Sequence, residues 1–175
     1  RIKENAAAIV ALCRQYEIRV AGVTKVTCAL PEVGQALVDG GCFQLADSRL
    51  ENIEKLRKYD FPVEYLLLRL PMPSQAEETV ALADYSLNSE LVTLEKLNRA
   101  AAKQNKRHGV ILMADLGDLR EGVFPAGKVF DLAKKVLKRE HLKFSGIGCN
   151  MACYGGVIPT SENMQAMAEL RQRIE

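Results

Sequence analysis

The stretch Val20–Cys28 reads VAGVTKVTC, an apolar run of strand-forming residues with Lys25 near its end. Valine and threonine at this density favour a β-strand, and Pro31 with Glu32 opens a helical stretch soon afterwards. A dinucleotide-binding sheet would carry a GxGxxG loop directly after such a strand. Residues 23–28 contain no glycine. The stretch therefore favours a βα barrel over an open nucleotide-binding sheet.

The alternation of strand and helix repeats along the chain. Both faces of the strand-forming runs are apolar, as expected of parallel strands covered by helices. The runs are Val20–Val26, Cys42–Ala46, Val63–Leu70, Tyr85–Leu87, Val110–Ala114 and Phe144–Cys149, each followed by a helical stretch. Gly117 and Gly122 have the spacing of a phosphate-binding Walker loop, but Val123 stands at the lysine position. We predict an α/β fold, a (β/α)8 TIM barrel represented by about six units.

Both ends of the sequence fall inside helical patterns. The chain begins with Arg1, and its last stretch, ENMQAMAELRQRIE, has no stop signal after it. At about 31 residues per unit, the 175 residues would lack the last two units of a barrel. We therefore expect an incomplete fragment of a longer protein.

Composition excludes several classes of function. The chain has 24 Lys and Arg against 22 Asp and Glu, 48% hydrophobic residues, 6% aromatic residues and no tryptophan. This is the composition of a soluble globular protein, without the basic and aromatic surface that nucleic acids require. The apolar run Val63–Leu70 is far shorter than the roughly 20 residues of a membrane helix. We expect neither a nucleic-acid nor a membrane partner.

The cysteines and histidines suggest no metal site. Five cysteines lack CxxC spacing and follow no signal peptide, which predicts reduced thiols in a cytoplasmic protein. The two histidines, His108 and His141, lie beside Lys or Arg in stretches that look like turns. The sequence therefore offers few residues from which a zinc site or a histidine triad could be built.

Polar residues follow nearly every predicted strand, which is where βα barrels build their active sites. They are Lys25, Asp47, Ser48, Arg49, Arg69, Asn88, Ser89, Asp115, Asp118, Arg120, Asn150, Cys153 and Tyr154. Lys25 follows an apolar run, and a partly buried lysine loses its proton readily, as a Schiff-base amine must. The alternative is a lysine that reaches solvent or pairs with Asp47.

The other strand-end residues have two interpretations each. Arg69 and Arg120 could clamp a phosphate or carboxylate, or form salt bridges to Asp115 and Asp118. Residues 47–49 could instead cap a helix and expose an arginine. Asn150 closes a buried strand, so its amide must find partners.

Six motifs carry a family resemblance that spans nearly the whole chain in order. They are GVTKVT (22–27), ADSRLENIEKL (46–56), LRLPMPSQ (68–75), SLNSE (86–90), MADLGDLREGVFP (113–125) and GIGCNMACYGGVIPTSENM (146–164). Together they resemble the alanine/ornithine racemase type of pyridoxal-phosphate-dependent amino acid racemases. The last two motifs are the most specific, and residues 152–160 are typical of the ornithine-racemase-like branch.

The resemblance implies a barrel domain that binds pyridoxal 5′-phosphate, and residues 1–175 as its partial form, without the last βα units and a C-terminal β domain. Lys25 matches the lysine that bonds to the cofactor and serves as catalytic base. Arg120 matches the arginine beside the cofactor's phenolic oxygen. Asn150 replaces a histidine that often contacts the pyridine ring, and Met113 replaces a modified lysine. Asp47 and Arg69 complete the predicted cofactor-binding set.

The implied activity is racemisation of a small amino acid by removal of its α-proton, in a homodimer. Lys25 would serve one face of the substrate, and the second base remains unassigned, with Cys153 and Tyr154 as nearby candidates. A non-catalytic cofactor carrier and an amino acid decarboxylase on the same barrel are alternatives, as is a nicotinamide-dependent oxidoreductase. We expect the fragment alone to bind cofactor poorly, to be inactive, and to associate through exposed strand edges.

Overall fold

The computed structural model describes residues 1–151 and 156–174, in which helices and strands alternate. The helices are α1 (Ile2–Arg14), α2 (Pro31–Asp39), α3 (Leu50–Arg57), α4 (Ala76–Leu82), α5 (Leu91–Lys103), α6 (Val129–Leu137) and α7 (Ser161–Ile174). The strands are β1 (Ala21–Val23), β2 (Gln44–Asp47), β3 (Glu64–Leu67), β4 (Tyr85–Asn88), β5 (His108–Met113) and β6 (Leu142–Gly148). Single 3-10 turns occupy Lys25–Thr27, Pro73–Gln75 and Ala126–Lys128.

The strands are parallel and neighbour one another in chain order, β1-β2-β3-β4-β5-β6. Ala21 pairs with Gln44 in β2, and Gln44 pairs with Glu64 in β3. A doubly wound sheet reverses its strand order at a switch point, whereas barrel strands follow one another around the axis. The order observed here is that of a barrel and confirms the predicted fold class.

The first strand is shorter than predicted. Its ladder ends at Val23, and the chain then enters the 3-10 turn, with Thr27 N bonding to Thr24 O at 3.1 Å. Cys28 and Ala29 follow with φ of 49° and 55°, which redirects the chain towards α2. The predicted strand Val20–Val26 is therefore wrong at its carboxyl end, and Lys25 lies in a turn.

The chain divides into two compact units. The first comprises Arg1–Arg69 and Ala81–Tyr85. Its core contains Leu45, Ile53 and Leu56, each 0% exposed. Because α3 places Ile53 and Leu56 three positions apart, both side chains fall on the face that packs inward.

The second unit comprises Leu70–Val80 and Ser86–Glu175. Its core joins β5 to helices α5 and α6, with Leu97, Val110 and Val129 each 0% exposed. The ladder between β5 and β6 shifts register after Val110, where Gly146 has a φ of +123°. This bulge lets β6 continue to Gly148, directly before Asn150.

None of the helices in the described ranges is both long and apolar enough to cross a membrane.

Candidate active site

Lys25 directly follows the carboxyl end of β1, as the barrel prediction requires, but it is exposed. The preceding residue, Thr24, is 0% exposed. Within residues 1–151 and 156–174, no hydrogen bond or ion pair engages the Lys25 ammonium. Of the interpretations left open for Lys25, the structure agrees with a lysine that reaches solvent, because the chain enters a 3-10 turn after Thr24. Lys25 is therefore an accessible primary amine that directly follows a buried, hydrogen-bonded residue, Thr24.

Asp47 is the residue that Thr24 bonds to. It is 0% exposed at the end of β2. Its Oδ2 accepts a 2.7 Å hydrogen bond from Thr24 Oγ1. Its Oδ1 accepts from Arg49 N at 3.0 Å and from Asn52 Nδ2 at 2.9 Å. Both carboxylate oxygens are thus engaged by protein donors, and neither the alternative pairing with Lys25 nor a cap bond to the first turn of α3 is present.

Arg69 is also exposed, two residues beyond β3 in the first unit. Among the residues the structure describes, its guanidinium has no hydrogen-bond partner. Its donors are therefore available to an anion, and its role in cofactor binding stays a prediction.

The loop after β5 is held in one shape by its own backbone and by Asp115. Asp115 Oδ1 accepts from Gly117 N at 2.8 Å and from Leu119 N at 3.2 Å. Val123 N returns to Met113 O at 2.8 Å, and Asp115 N bonds to Val123 O at 3.2 Å. The loop therefore leaves β5 and comes back to its end.

Gly122 makes that return possible. It has a φ of +126°, and a Cβ on it would lie 2.6 Å from Asp115 N. A side chain would have to displace backbone, so only glycine fits here.

This loop carries Arg120, which is exposed, and Asp118, which is half-buried. Both side-chain oxygens of Asp118 are buried without a hydrogen-bond partner in the described chain. The predicted salt bridge between Asp118 and an arginine is therefore absent from this part of the structure.

Asn150 follows β6 and is half-buried. Its Nδ2 donates a short hydrogen bond to Glu121 Oε1 on the β5 loop. The expectation that this amide finds a protein partner is confirmed, and Glu121 is a contact that the sequence analysis missed. Burial raises the pKa of the neighbouring Cys149 thiol, which keeps the thiol protonated near neutral pH. Cys153 and Tyr154 lie outside the described residues.

A second arrangement that the sequence analysis missed lies in the core of the same unit. His108 begins β5 and is 2% exposed, so its assignment to a turn was wrong. Its Nε2 lies 2.8 Å from Ser86 Oγ. Asn88 Nδ2 donates to Ser86 Oγ at 2.9 Å and to Ser86 O at 3.0 Å. The available signal in the sequence was the pair of polar residues, Ser86 and Asn88, at alternate positions of β4.

The described residues contain no group of three metal-ligating side chains. Cys13, Cys28, Cys42 and Cys149 are free thiols.

Parallel βα units in barrel order, with polar residues at their carboxyl ends, define a βα-barrel protein. The sequence matches the family described as alanine racemase, N-terminal domain, over residues 1–175. The chain therefore belongs to the alanine racemase N-terminal domain family.

Three similar proteins illustrate the relationship. The ornithine racemase of Acetoanaerobium sticklandii is 40% identical over 174 residues, covering 99% of this chain and 49% of the relative. The lysine racemase of Thermotoga maritima is 33% identical, with coverages of 99% and 48%. The alanine racemase structure from Streptomyces coelicolor A3(2) superposes with a TM-score of 0.81 at 21% identity, covering 98% of this chain and 49% of that one. The chain spans about half the length of these curated relatives, and the structural likeness concerns the fold.

Proposed function

We propose that the protein containing this chain is an amino acid racemase that uses pyridoxal 5′-phosphate, with Lys25 as its catalytic and cofactor-binding lysine. Membership of the alanine racemase N-terminal domain family supports the reaction class. The observation that carries the proposal is an exposed, unpaired amine at the carboxyl end of β1, fixed by the buried Thr24 and Asp47 pair.

The residues present fit an aldehyde-bearing cofactor. Such a group needs a primary amine that solvent and ligand can reach and that no carboxylate holds as an ion pair. Lys25 meets both conditions among the described residues. Asp47 is the nearest candidate for an ion pair by sequence prediction, but its oxygens are taken by Thr24, Arg49 and Asn52.

When bound, pyridoxal 5′-phosphate supplies an electron sink that stabilises the charge left by departure of an α-proton. The residues that would hold it are Lys25, Arg120, Asn150 and Arg69. Asp47 contributes by fixing the backbone before Lys25, since its own oxygens face protein donors.

Each of these side chains has a separate task in the proposed reaction. Lys25 Nζ takes the α-proton from one face of the substrate when one enantiomer reacts and delivers a proton to that face when the other reacts, while the second base serves the opposite face. Arg120 and Arg69 orient anionic groups through their guanidinium donors. Glu121 holds the amide of Asn150, so that the ring contact proposed for Asn150 comes from a side chain with restricted rotation.

The substrate class we propose is an amino acid whose side chain ends in an ammonium group. The relatives that support this are named for ornithine and for lysine, and both carry such a group. We further propose a homodimer. The base that serves the opposite face of the substrate is then a residue other than Lys25, Asp47, Arg69, Arg120 and Asn150.

Borohydride trapping tests the proposal. The full-length protein is loaded with pyridoxal 5′-phosphate, reduced, digested and mapped by mass spectrometry. We expect one pyridoxyl adduct, on Lys25, and interconversion of ornithine enantiomers in a chiral assay. The matched control is Lys55→Arg, because Lys55 is a half-buried lysine of the first unit whose ammonium already donates to Cys28 O at 3.2 Å. This control should keep both adduct and activity.

The possible results separate the functions on this barrel. An adduct on a different lysine would refute the role of Lys25. Release of carbon dioxide from the amino acid would replace the racemase by a decarboxylase. An adduct on Lys25 with every amino acid left unchanged would indicate a cofactor carrier.

A further inference from the structure

Asp118 is an unusual carboxylate in this chain. Both of its oxygens are buried, and neither has a hydrogen-bond partner among the described residues. Burying an ionised carboxylate without a partner is costly, because protein dipoles or a counter-charge must replace its hydration. A buried polar group that is unsatisfied in a native structure calls for an explanation, and a ligand that completes its hydrogen bonds is one such explanation.

The two backbone donors beside Asp118 are already used within the loop. Asp115 takes the two backbone donors that flank Asp118, Gly117 N and Leu119 N. The loop backbone therefore has no donor left on either side for the Asp118 carboxylate. Leu119 lies between Asp118 and Arg120 and has a φ of 51°.

The position of Asp118 links it to the proposed reaction. It lies three residues beyond Asp115 and two before Arg120, on the loop at the carboxyl end of β5. Because catalytic residues of βα barrels sit on these loops, a group held by Asp118 would be bound at the same loop that carries Arg120.

The chemistry of the missing partner follows from the charge. A water molecule could satisfy a hydrogen bond but would leave the negative charge uncompensated. An ammonium group supplies both several donors and the counter-charge. A buried charged pair of this kind also excludes analogues that lack the ammonium, because they leave the carboxylate unpaired.

We propose that Asp118 is the specificity-determining residue that binds the side-chain ammonium of a diamino acid substrate. This inference rests on the racemase function proposed above and adds the residue that selects the substrate.

The test compares two substrates with the same carbon chain. Ornithine carries the side-chain ammonium, and norvaline lacks it. In the full-length protein we expect the isosteric Asp118→Asn to lower kcat/KM for ornithine by about 30-fold or more, mainly through KM, the usual size of losing one partner of a buried charge pair. The kcat/KM for norvaline should change by less than about threefold, because nothing in that substrate contacts the carboxylate.

A binding measurement accompanies the kinetics. Ornithine should raise the Tm of the wild-type protein more than that of Asp118→Asn at the same concentration, whereas norvaline should shift the two proteins equally. Asp131→Asn is the matched control, because Asp131 is an exposed aspartate in the first turn of α6. It should behave as the wild type in both measurements.

Two results would overturn the inference. An equal loss for both substrates would make Asp118 a structural residue, and an unchanged ornithine preference would place ammonium recognition elsewhere. A protein that racemises no amino acid refutes the proposed function instead. In that case the ornithine-dependent Tm shift decides alone: a smaller shift in Asp118→Asn supports the role of Asp118, and an equal shift refutes it.

Discussion

The turn after β1 and the loop after β5 are both held by an aspartate, but they leave different groups without a partner among the described residues. Each follows the carboxyl end of a parallel strand, and each is fixed by an aspartate that accepts hydrogen bonds. In the first, Asp47 is fully engaged, and the unpaired group is the exposed amine of Lys25. In the second, Asp115 is engaged by backbone, and the unpaired group is the buried carboxylate of Asp118.

The comparison shows how to separate a structural carboxylate from one directed at a ligand. Asp47 ends β2 and Asp118 lies on the loop after β5, and both looked like site residues in the sequence. Their hydrogen-bond partners assign Asp47 to the fold and Asp118 to a ligand, since a buried charge needs compensation. Variants in each loop test this distinction.

The largest effect should come from Lys25→Ala. Removing the proposed base and cofactor amine should lower the racemisation rate by about 1,000-fold, as a chiral assay on full-length protein would measure. Because Lys25 is exposed and makes no bond in the described structure, the Tm without cofactor should stay within about 1 °C of wild type. A large loss of stability would mean that the turn depends on this side chain after all.

Removing each anchoring aspartate should cost stability unequally. Asp47→Ala leaves the Thr24 hydroxyl, the Arg49 amide and the Asn52 side chain without their acceptor in a buried position. We expect a loss of about 3 kcal/mol in the free energy of unfolding. Asp115→Ala should cost about 1 kcal/mol, because loop amides can turn to water. Urea denaturation of both variants measures the difference, and equal values would contradict the assignment of Asp47 to the fold.

Two glycines of the β5 loop give a sharper contrast. Both have positive φ, +111° at Gly117 and +126° at Gly122. A Cβ on Gly117 would meet only Val157 Cγ2, at 4.0 Å, whereas a Cβ on Gly122 would collide with Asp115 backbone. Gly117→Ala should therefore cost about 1 kcal/mol from backbone strain alone, and Gly122→Ala about 2 kcal/mol or more. Thermal unfolding compares the two, and only Gly122→Ala should also reduce racemisation.

The smallest effect concerns pH. Burial raises the pKa of the Cys42 thiol above its usual value of 9.0. The unfolded chain therefore releases this proton at a lower pH than the folded chain does, so the stabilisation is complete below pH 9 and is lost as pH rises further. Between pH 8 and 10 we expect a decline below about 1 kcal/mol from Cys42. Cys42→Ala should reduce the pH dependence but not abolish it, because burial also raises the pKa of the Cys149 thiol. Cys28→Ala, at an exposed position, should leave the pH dependence unchanged.

Most of the fold was predictable because hydrophobic periodicity is a local property. All six strands occur where apolar, β-rich runs predicted them, and their parallel order follows from helices between them. The errors lie at boundaries. β1 stops before Lys25 because the chain enters a 3-10 turn there, although Thr24 N still donates to Ala46 O at 3.0 Å. His108 belongs to β5, where its ring nitrogen lies 2.8 Å from Ser86 Oγ in the core.

The site was predictable in position but not in its connections. Lys25, Arg120 and Asn150 do follow strands, as the barrel rule requires. The contact between Glu121 and Asn150 and that between Thr24 and Asp47 join residues 29 and 23 positions apart, so no local pattern predicts them. The sequence left the exposure of Lys25 open for the same reason, since exposure depends on how the turn is directed.

The alternation of strands and helices, the barrel class and the family resemblance could all be inferred from the amino-acid sequence, because periodicity and motif order are local properties of the chain. Only the tertiary structure decided which polar groups are engaged. Burial and hydrogen bonding arise from residues brought together by folding, and they separate the saturated Asp47 from the unpaired Asp118.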